Sequence, residues 1–241
     1  MSAITLILIS LLASAGTGTG GILATLFKPR EANLILGLGF SSGIMLGVTF
    51  LMLVSESLKA GFFACFTAFT MGSLLFFFLD FIFPHIHIVE SRKSLLRLGT
   101  LIAIGIAIHD LPEGFAIGSG YAISGSLGMT LAVAIMLHNI PEGIAIAVPF
   151  HFSGMSKIKT VFISLAAGIS TIVGALLSFF LLASISEKFI YFGLAFAGGA
   201  MFYITVNELI PEAHKYGNTH LASFGVLVGI LAAFLLAQVG G

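Results

Sequence analysis

Charged residues are scarce in this sequence. Aspartate, glutamate, lysine and arginine together make up 8% of the 241 residues, 58% are hydrophobic, and the mean hydropathy is +1.15. Because a soluble globular protein carries about 25% charged residues, this chain cannot cover a water-facing surface. We therefore predict an integral membrane protein. The ten basic residues form no basic patch, which argues against a nucleic-acid partner.

Cysteine and several functional motifs are missing as well. Cys65 is the only cysteine, which excludes an intrachain disulfide and a cysteine-based zinc site. The glycine-rich stretch Gly16–Gly21 lacks the lysine of a phosphate-binding loop, and the H-E-x-x-H motif of zinc hydrolases does not occur. We therefore expect no organic cofactor.

Apolar segments fill most of the chain. Each is close to the ~20 residues that a helix needs to cross a bilayer, and none shows the alternating pattern of a barrel strand. We predict an all-α integral membrane protein with one transmembrane domain, residues 1–241, and eight transmembrane helices. In chain order, segments 1 to 8 cover residues 3–27, 33–54, 61–83, 97–119, 127–149, 158–184, 189–211 and 219–240. Segment 1 has no basic residue before it, so we do not expect a cleaved signal peptide.

Basic residues predict the orientation in the membrane. On one side lie Lys28, Arg30, Arg92, Lys93, Arg97, Lys157, Lys159 and Lys215. Only Lys59 and Lys188 lie on the other side. Because the more basic side of a membrane protein faces the cytoplasm, we expect both termini outside. The protein is then a multi-pass protein of the inner (cytoplasmic) cell membrane.

Internal similarity indicates an inverted repeat. The run 39–46 in segment 2 is similar to 197–202 in segment 7, and 108–117 in segment 4 is similar to 137–146 in segment 5. The members of each pair cross the membrane in opposite directions. This predicts a 3+2+3 arrangement, with segments 1–3 related to 6–8 and segment 4 related to 5. Transporters built in this way bind their substrate near the middle of the bilayer.

The repeated stretch in segments 4 and 5 carries the chemistry. It reads H-[D/N]-[L/I]-P-E-G in both copies, His109–Gly114 and His138–Gly143. A histidine and a glutamate four residues apart lie on one face of a helix. Each proline removes a backbone donor, which leaves a carbonyl able to bind metal or water. At about 1.5 Å rise per residue, both histidines lie near the centre of the bilayer.

We interpret the two copies as one metal site. A carboxylate at the bilayer centre is costly, and neighbouring acids cannot all stay ionised unless a cation neutralises them. Two imidazoles and two carboxylates suit Zn²⁺ and other borderline divalent ions. The four ligands are His109, Glu113, His138 and Glu142. Asp110 and Asn139 point to a neighbouring position, where a second ion could share the glutamates. The alternative is a structural role in a kinked helix pair, which does not explain two copies at one depth.

Other polar residues lie near the membrane boundaries. Glu208, Glu212 and His214 follow one helical stripe at the cytoplasmic end of segment 7 and are candidates for an exit path. The alternative is an ordinary solvated helix end. Glu56, at the outer end of segment 2, could attract cations at the entrance, or it is an interfacial acid beside Lys59.

Two histidines follow segment 3. His85 and His87 come directly after Pro84, where an extended chain would place both side chains on one side. They are candidates for metal capture or sensing on the cytoplasmic side. The alternative is a solvated loop with no metal role.

These motifs make the chain similar to the ZIP (Zrt-, Irt-like protein) family of metal transporters, in its GufA-like bacterial branch. The resemblance covers all eight segments and rests on the two H-[D/N]-x-P-E-G motifs, with support from 208–214 and 84–87. It implies zinc uptake into the cytoplasm, a metal site between segments 4 and 5, and no enzymatic activity. It also implies a bundle of segments 1, 4, 5 and 6 that moves against segments 2, 3, 7 and 8, and a homodimer.

One departure from the family concerns a second ion. Family members with a two-metal site often carry a glutamate followed by a proline in segment 6, shortly before a Gly-Ala pair. This chain has Gly174 and Ala175, but Thr171 and Ile172 occupy the glutamate and proline positions. We therefore expect one well-coordinated ion to dominate.

Substrate and activity leave alternatives open. Ligation by nitrogen and oxygen admits Cd²⁺, Fe²⁺ and Mn²⁺ as well as Zn²⁺. An intramembrane zinc-dependent hydrolase is the alternative function, because zinc held by histidine and glutamate can activate water. The symmetrical ligand set argues against it, since catalysis usually needs distinct acid and base groups. A passive channel or a metal sensor would share the same site.

Overall fold

Eight long helices dominate the structure. The computed structural model describes residues 2–27, 30–82, 92–182, 186–215 and 217–240, and His85 and His87 lie outside these ranges. The eight helices are long and apolar enough to cross a membrane, which confirms the predicted all-α, eight-helix class. In chain order they are α1 Ala3–Leu26, α2 Glu31–Ala60, α3 Phe62–Ile82, α4 Arg92–Ile123, α5 Gly125–Phe152, α6 Lys157–Leu182, α7 Glu187–His214 and α8 Thr219–Gly240.

Several helices extend beyond the apolar segments. Helix α4 has 32 residues and starts at Arg92, five positions before the predicted segment. At about 1.5 Å per residue it is longer than the ~30 Å hydrocarbon core. Outside that core a helix tolerates polar side chains, so hydropathy marks only its membrane-embedded part.

Helices α2 and α7 each change from α to π geometry in their second half. The π segments are Val48–Val54 and Thr205–Leu209. The first begins at Val48 and the second at Thr205. Extending the predicted repeat from Gly43 and Gly199 pairs Thr205 with Thr49, one residue after Val48. A π turn contains one extra residue and often marks a functional site. Both helices thus carry a π segment, and the inverted repeat itself stays a prediction.

The helices pack as two groups. Helices α1, α4, α5 and α6 pack on one another. In the second group α2 lies along α8, α3 lies along α7, and α2 meets α7 at the π segment of α2. Contacts of α4 with α7 and of α5 with α2 join the two groups. The helices that carry the paired motif, α4 and α5, thus lie where the groups meet.

Glycine holds the motif helices close to their neighbours. A Cβ at Gly114 would overlap the carbonyl oxygen of Thr171 in α6, and a Cβ at Gly143 would overlap that of Thr17 in α1. Small residues at such positions let membrane helices pack backbone against backbone. Because each glycine directly follows a motif glutamate, the close packing fixes the position of both carboxylates.

The outer surface is apolar. Large side chains such as Phe63 of α3 (82% exposed) and Leu235 of α8 (68% exposed) point away from the helix core. Exposing such a surface to water is unfavourable, whereas exposing it to lipid is not, because lipid tails are as apolar as these side chains. The exposure pattern therefore agrees with a multi-pass membrane protein.

Candidate metal site

The two motif copies meet in the interior of the protein. His109 and Glu113 project from α4, and His138 and Glu142 project from α5. One ligand atom from each of the four lies within 4.8 Å of the others. Neither Pro112 nor Pro141 interrupts its helix, so the four-residue spacing keeps each histidine and glutamate on one face. The side chains predicted as metal ligands are therefore brought together.

Each histidine faces a glutamate of the opposite helix. His138 Nε2 lies 2.8 Å from Glu113 Oε1, and His109 Nε2 lies 3.3 Å from Glu142 Oε1. Within α4, His109 Nε2 lies 3.2 Å from Glu113 Oε1. Two ligands that bind one tetrahedral zinc at about 2.0–2.1 Å are roughly 3.3 Å apart. The spacing is thus close to what a single ion requires.

Burial of the four side chains is nearly complete. His109 is 3% exposed, Glu142 is 1% exposed, and Glu113 and His138 are 0% exposed. Glu113 Oε2, Glu142 Oε2 and His138 Nδ1 have no hydrogen-bond partner among the described residues. Unpaired buried polar groups are costly, and a bound cation would satisfy them. The chemistry of the cluster therefore suits a divalent metal ion.

Asp110 and Asn139 lie beside the cluster and not within it. Both are fully buried, and Asp110 is outside the group of four whose ligand atoms come together. Thr171 of α6 is a neighbour of Asp110. The amide of Asn139 donates to the carbonyl of Ala13 in α1, over 3.4 Å. These residues form a second polar region next to the four ligands, and its role in binding an ion stays a prediction.

The remaining candidate residues lie at helix ends. Glu56, near the end of α2, is paired with Lys59. Glu212, near the end of α7, is 3.2 Å from Lys215 in a matching three-residue spacing. His214 Nδ1 contacts the carbonyl of Ile210 at 2.8 Å. Glu208 lies within the π segment of α7 and is half-buried. None of these residues joins the central cluster, and their roles in a metal path stay predictions.

A second polar cluster, between α3 and α7, was not predicted from the sequence. Asp80 of α3 accepts hydrogen bonds from Tyr203 and Asn207 of α7, and each has a donor–acceptor distance of 3.0 Å. Asn207 lies in the π segment, one residue before Glu208. The cluster ties α3 to the irregular turn of α7. A lone aspartate at a helix end gives no sign of such partners, because they lie more than 120 residues away.

Comparison with known proteins assigns the family. A family model described as ZIP Zinc transporter matches residues 87–237. A protein named Zinc transporter ZupT from Chlorobaculum parvum is 35% identical over 249 positions, covering 92% of each chain. Proteins of the same name from Streptococcus mutans and Clostridium perfringens are 33% and 32% identical, and the alignments cover 94% and 93% of this chain. The chain belongs to the ZIP family.

Membership of the ZIP family narrows the alternatives. ZIP proteins are transporters, which confirms the prediction that this chain is not an enzyme. Neither the family model nor the ZupT proteins favour the intramembrane hydrolase. The GufA-like branch is not tested by these matches and stays a prediction. In this ZIP protein the buried cluster between α4 and α5 is the natural candidate for the substrate site.

Proposed function

We propose that this ZIP protein carries divalent metal ions, zinc first among them, across the inner cell membrane into the cytoplasm. The observation that carries the proposal is the buried group of two histidines and two glutamates between α4 and α5. Proteins named Zinc transporter ZupT match almost the whole chain, which supports zinc as substrate. Cd²⁺, Fe²⁺ and Mn²⁺ are further candidate substrates, because nitrogen and oxygen ligands also bind them.

We propose a path for the ion that connects the polar residues near the two membrane boundaries with the central cluster. A hydrated cation is drawn to Glu56, loses water, and binds His109, Glu113, His138 and Glu142. It then leaves past Glu208, Glu212 and His214 toward the cytoplasm. A movement of α1, α4, α5 and α6 relative to the other helices would open the site to one side at a time. We also propose that the single transmembrane domain forms a homodimer, with α3 and α8 exposing large apolar surfaces.

Removal of single ligands tests the transport site. In proteoliposomes we expect His138→Ala and Glu142→Ala each to reduce ⁶⁵Zn uptake at least ~10-fold. Loss of a residue that merely orients a ligand already costs about 10–100-fold in metal affinity, so loss of a ligand should cost no less. His220→Ala, which removes an exposed histidine at the start of α8, is the control and should leave uptake unchanged. Undiminished uptake in both ligand variants would exclude this site.

A further inference from the structure

Helix α2 contributes no ligand to the cluster, yet it contacts the backbone of a residue whose side chain is a ligand. The Ser41 hydroxyl donates a hydrogen bond to the carbonyl oxygen of His138 in α5, over 3.1 Å. Ser41 is 0% exposed, so water does not compete for this bond. The bond also joins two helices from different packing groups. A side chain outside the metal site is therefore connected directly to a ligand-bearing residue.

The acceptor carbonyl lies in the turn that joins both ligands of α5. In an α-helix the carbonyl of residue 138 accepts the N–H of residue 142, and these residues carry the two α5 ligands. The same turn contains Pro141, which has no N–H to donate to the carbonyl of Leu137. The Leu137 carbonyl therefore lacks its helical donor, and this turn has one backbone bond fewer than a regular helix. The Ser41 hydroxyl donates to the adjacent carbonyl, that of His138, and so ties this weakened turn to α2.

A second contact places α2 on the same turn. Gly37 lies one turn before Ser41 on α2, and a Cβ built there would be 3.5 Å from two ring carbons of Pro141. Gly37 and Ser41 thus form one face of α2 that covers residues 138–141 of α5. The position that the internal repeat matches to Ser41 in α7 is Ala197, which has no side-chain donor. The additional bond therefore supports α5 without an equivalent from α7 to α4.

We propose that Ser41 is a positioning residue of the metal site. Its hydroxyl holds the His138–Glu142 turn against α2 in this conformation, and the bond breaks when the two packing groups shift during transport. The proposal rests on the proposed transport function. It predicts two effects of losing the hydroxyl. The site binds zinc more weakly, because the His138–Glu142 turn is less well held. The movement of the two packing groups is not slowed, because one bond fewer has to break.

The adjacent serine offers a matched control. Ser42 is also 0% exposed, but its hydroxyl donates to the carbonyl of Leu38 within α2, over 2.8 Å. Ser41→Ala and Ser42→Ala thus remove the same buried hydroxyl at neighbouring positions, and only the first bond reaches α5. Ser41→Thr keeps a hydroxyl at position 41 and serves as the conservative variant.

The experiment measures ⁶⁵Zn uptake against zinc concentration in proteoliposomes containing the full chain. For Ser41→Ala we expect the half-saturating zinc concentration to rise about 2- to 10-fold, the range that one hydrogen bond spans, with no fall in the maximal rate. Ser42→Ala should match the wild type, and Ser41→Thr should lie closer to it than Ser41→Ala. A merely structural defect would instead lower the maximal rate, because less protein would be active.

Other results would overturn the proposal. These are an unchanged half-saturating concentration in Ser41→Ala, a loss confined to the maximal rate, or an equal shift in Ser42→Ala. Zinc binding to the purified proteins by equilibrium dialysis separates the two hypotheses. If the wild type binds zinc but does not transport it, the transport function is wrong, and equal affinities of wild type and Ser41→Ala would independently exclude the positioning role.

Discussion

At the scale of single residues, the cluster couples the two helices through their ligands. Each histidine approaches the glutamate of the other helix, with His138 to Glu113 at 2.8 Å and His109 to Glu142 at 3.3 Å. One ion bound to all four side chains would therefore hold α4 and α5 together. Because the carboxylates are buried, their repulsion is strong when no cation neutralises it. Metal occupancy and the packing of these two helices should depend on each other.

Thr171 should limit the number of bound ions. The hydroxyl of Thr171 neighbours Asp110 but brings no charge to the second polar region. We expect the wild type to bind about one zinc per chain, and Thr171→Glu to raise this toward two, because a further carboxylate supplies both a ligand and a compensating charge. Equilibrium dialysis followed by elemental analysis measures the ratio.

The control for Thr171 is an uncharged variant of similar size. Thr171→Gln fills the same space without a negative charge and should retain about one ion per chain. If the wild type already binds two zinc ions with similar affinity, or if Thr171→Glu binds no more than Thr171→Gln, the role assigned to Thr171 is wrong.

At the scale of helices, close packing fixes the motif copies relative to their neighbours. Gly114 brings α4 against Thr171 of α6, and Gly143 brings α5 against Thr17 of α1. The π segments of α2 and α7 are less rigid than these close contacts, because an extra residue per turn weakens the regular hydrogen-bond pattern. Rigid contacts therefore surround the ligands, while the irregular turns lie toward the ends of the neighbouring helices.

Alanine at Gly114 should destabilise the protein. Its Cβ would meet the backbone of α6, which cannot move aside as a side chain can, so we expect a loss of about 1–3 kcal/mol of stability. Thermal unfolding in detergent should show this as a lower midpoint temperature. Gly105 lies in the same helix with no atom within 4 Å of a Cβ. Gly105→Ala is the control and should be neutral or stabilising by ~0.5–1 kcal/mol. Equal midpoints for both variants would contradict the packing argument.

At the scale of the whole molecule, two packing groups meet along the helices that carry the ligands. Contacts of α2 with α5 and of α4 with α7 cross this boundary. A shift of one group relative to the other would change access to the cluster without unfolding any helix. Hydrogen bonds that cross the boundary, such as Ser41 to His138, are then the bonds most sensitive to that shift.

The orientation in the membrane is testable by cysteine labelling. We expect Ser126, at the start of α5, to face outside and Ser156, just before α6, to face the cytoplasm; both are exposed. With Cys65→Ala as background, a membrane-impermeant maleimide should label Ser126→Cys in intact cells. Ser156→Cys should react only after permeabilisation. The reverse pattern would place both termini in the cytoplasm and contradict the prediction from the basic residues.

The sequence by itself determined the class of the protein and the identity of the candidate ligands. Lipid offers no hydrogen bonds, so each long apolar segment must satisfy its backbone internally as a helix. The paired H-[D/N]-x-P-E-G motifs are local patterns, and helical periodicity alone places His109 with Glu113 and His138 with Glu142. The histidines of the two pairs lie about the same number of residues from the cytoplasmic end of their segments, which predicts that the pairs meet at one depth in the bilayer.

Only the tertiary structure decided which residues from distant parts of the chain meet. Ser41 bonds to a carbonyl 97 positions away, and Asp80 meets Tyr203 across 123 positions. Neither contact can be predicted from the sequence around these residues, because a serine or an aspartate has many alternative partners. The π segments also depend on tertiary packing, since Val48–Val54 reads as an ordinary apolar helix. Hydropathy predicts that helices form in lipid, whereas specific contacts between them determine how they are arranged.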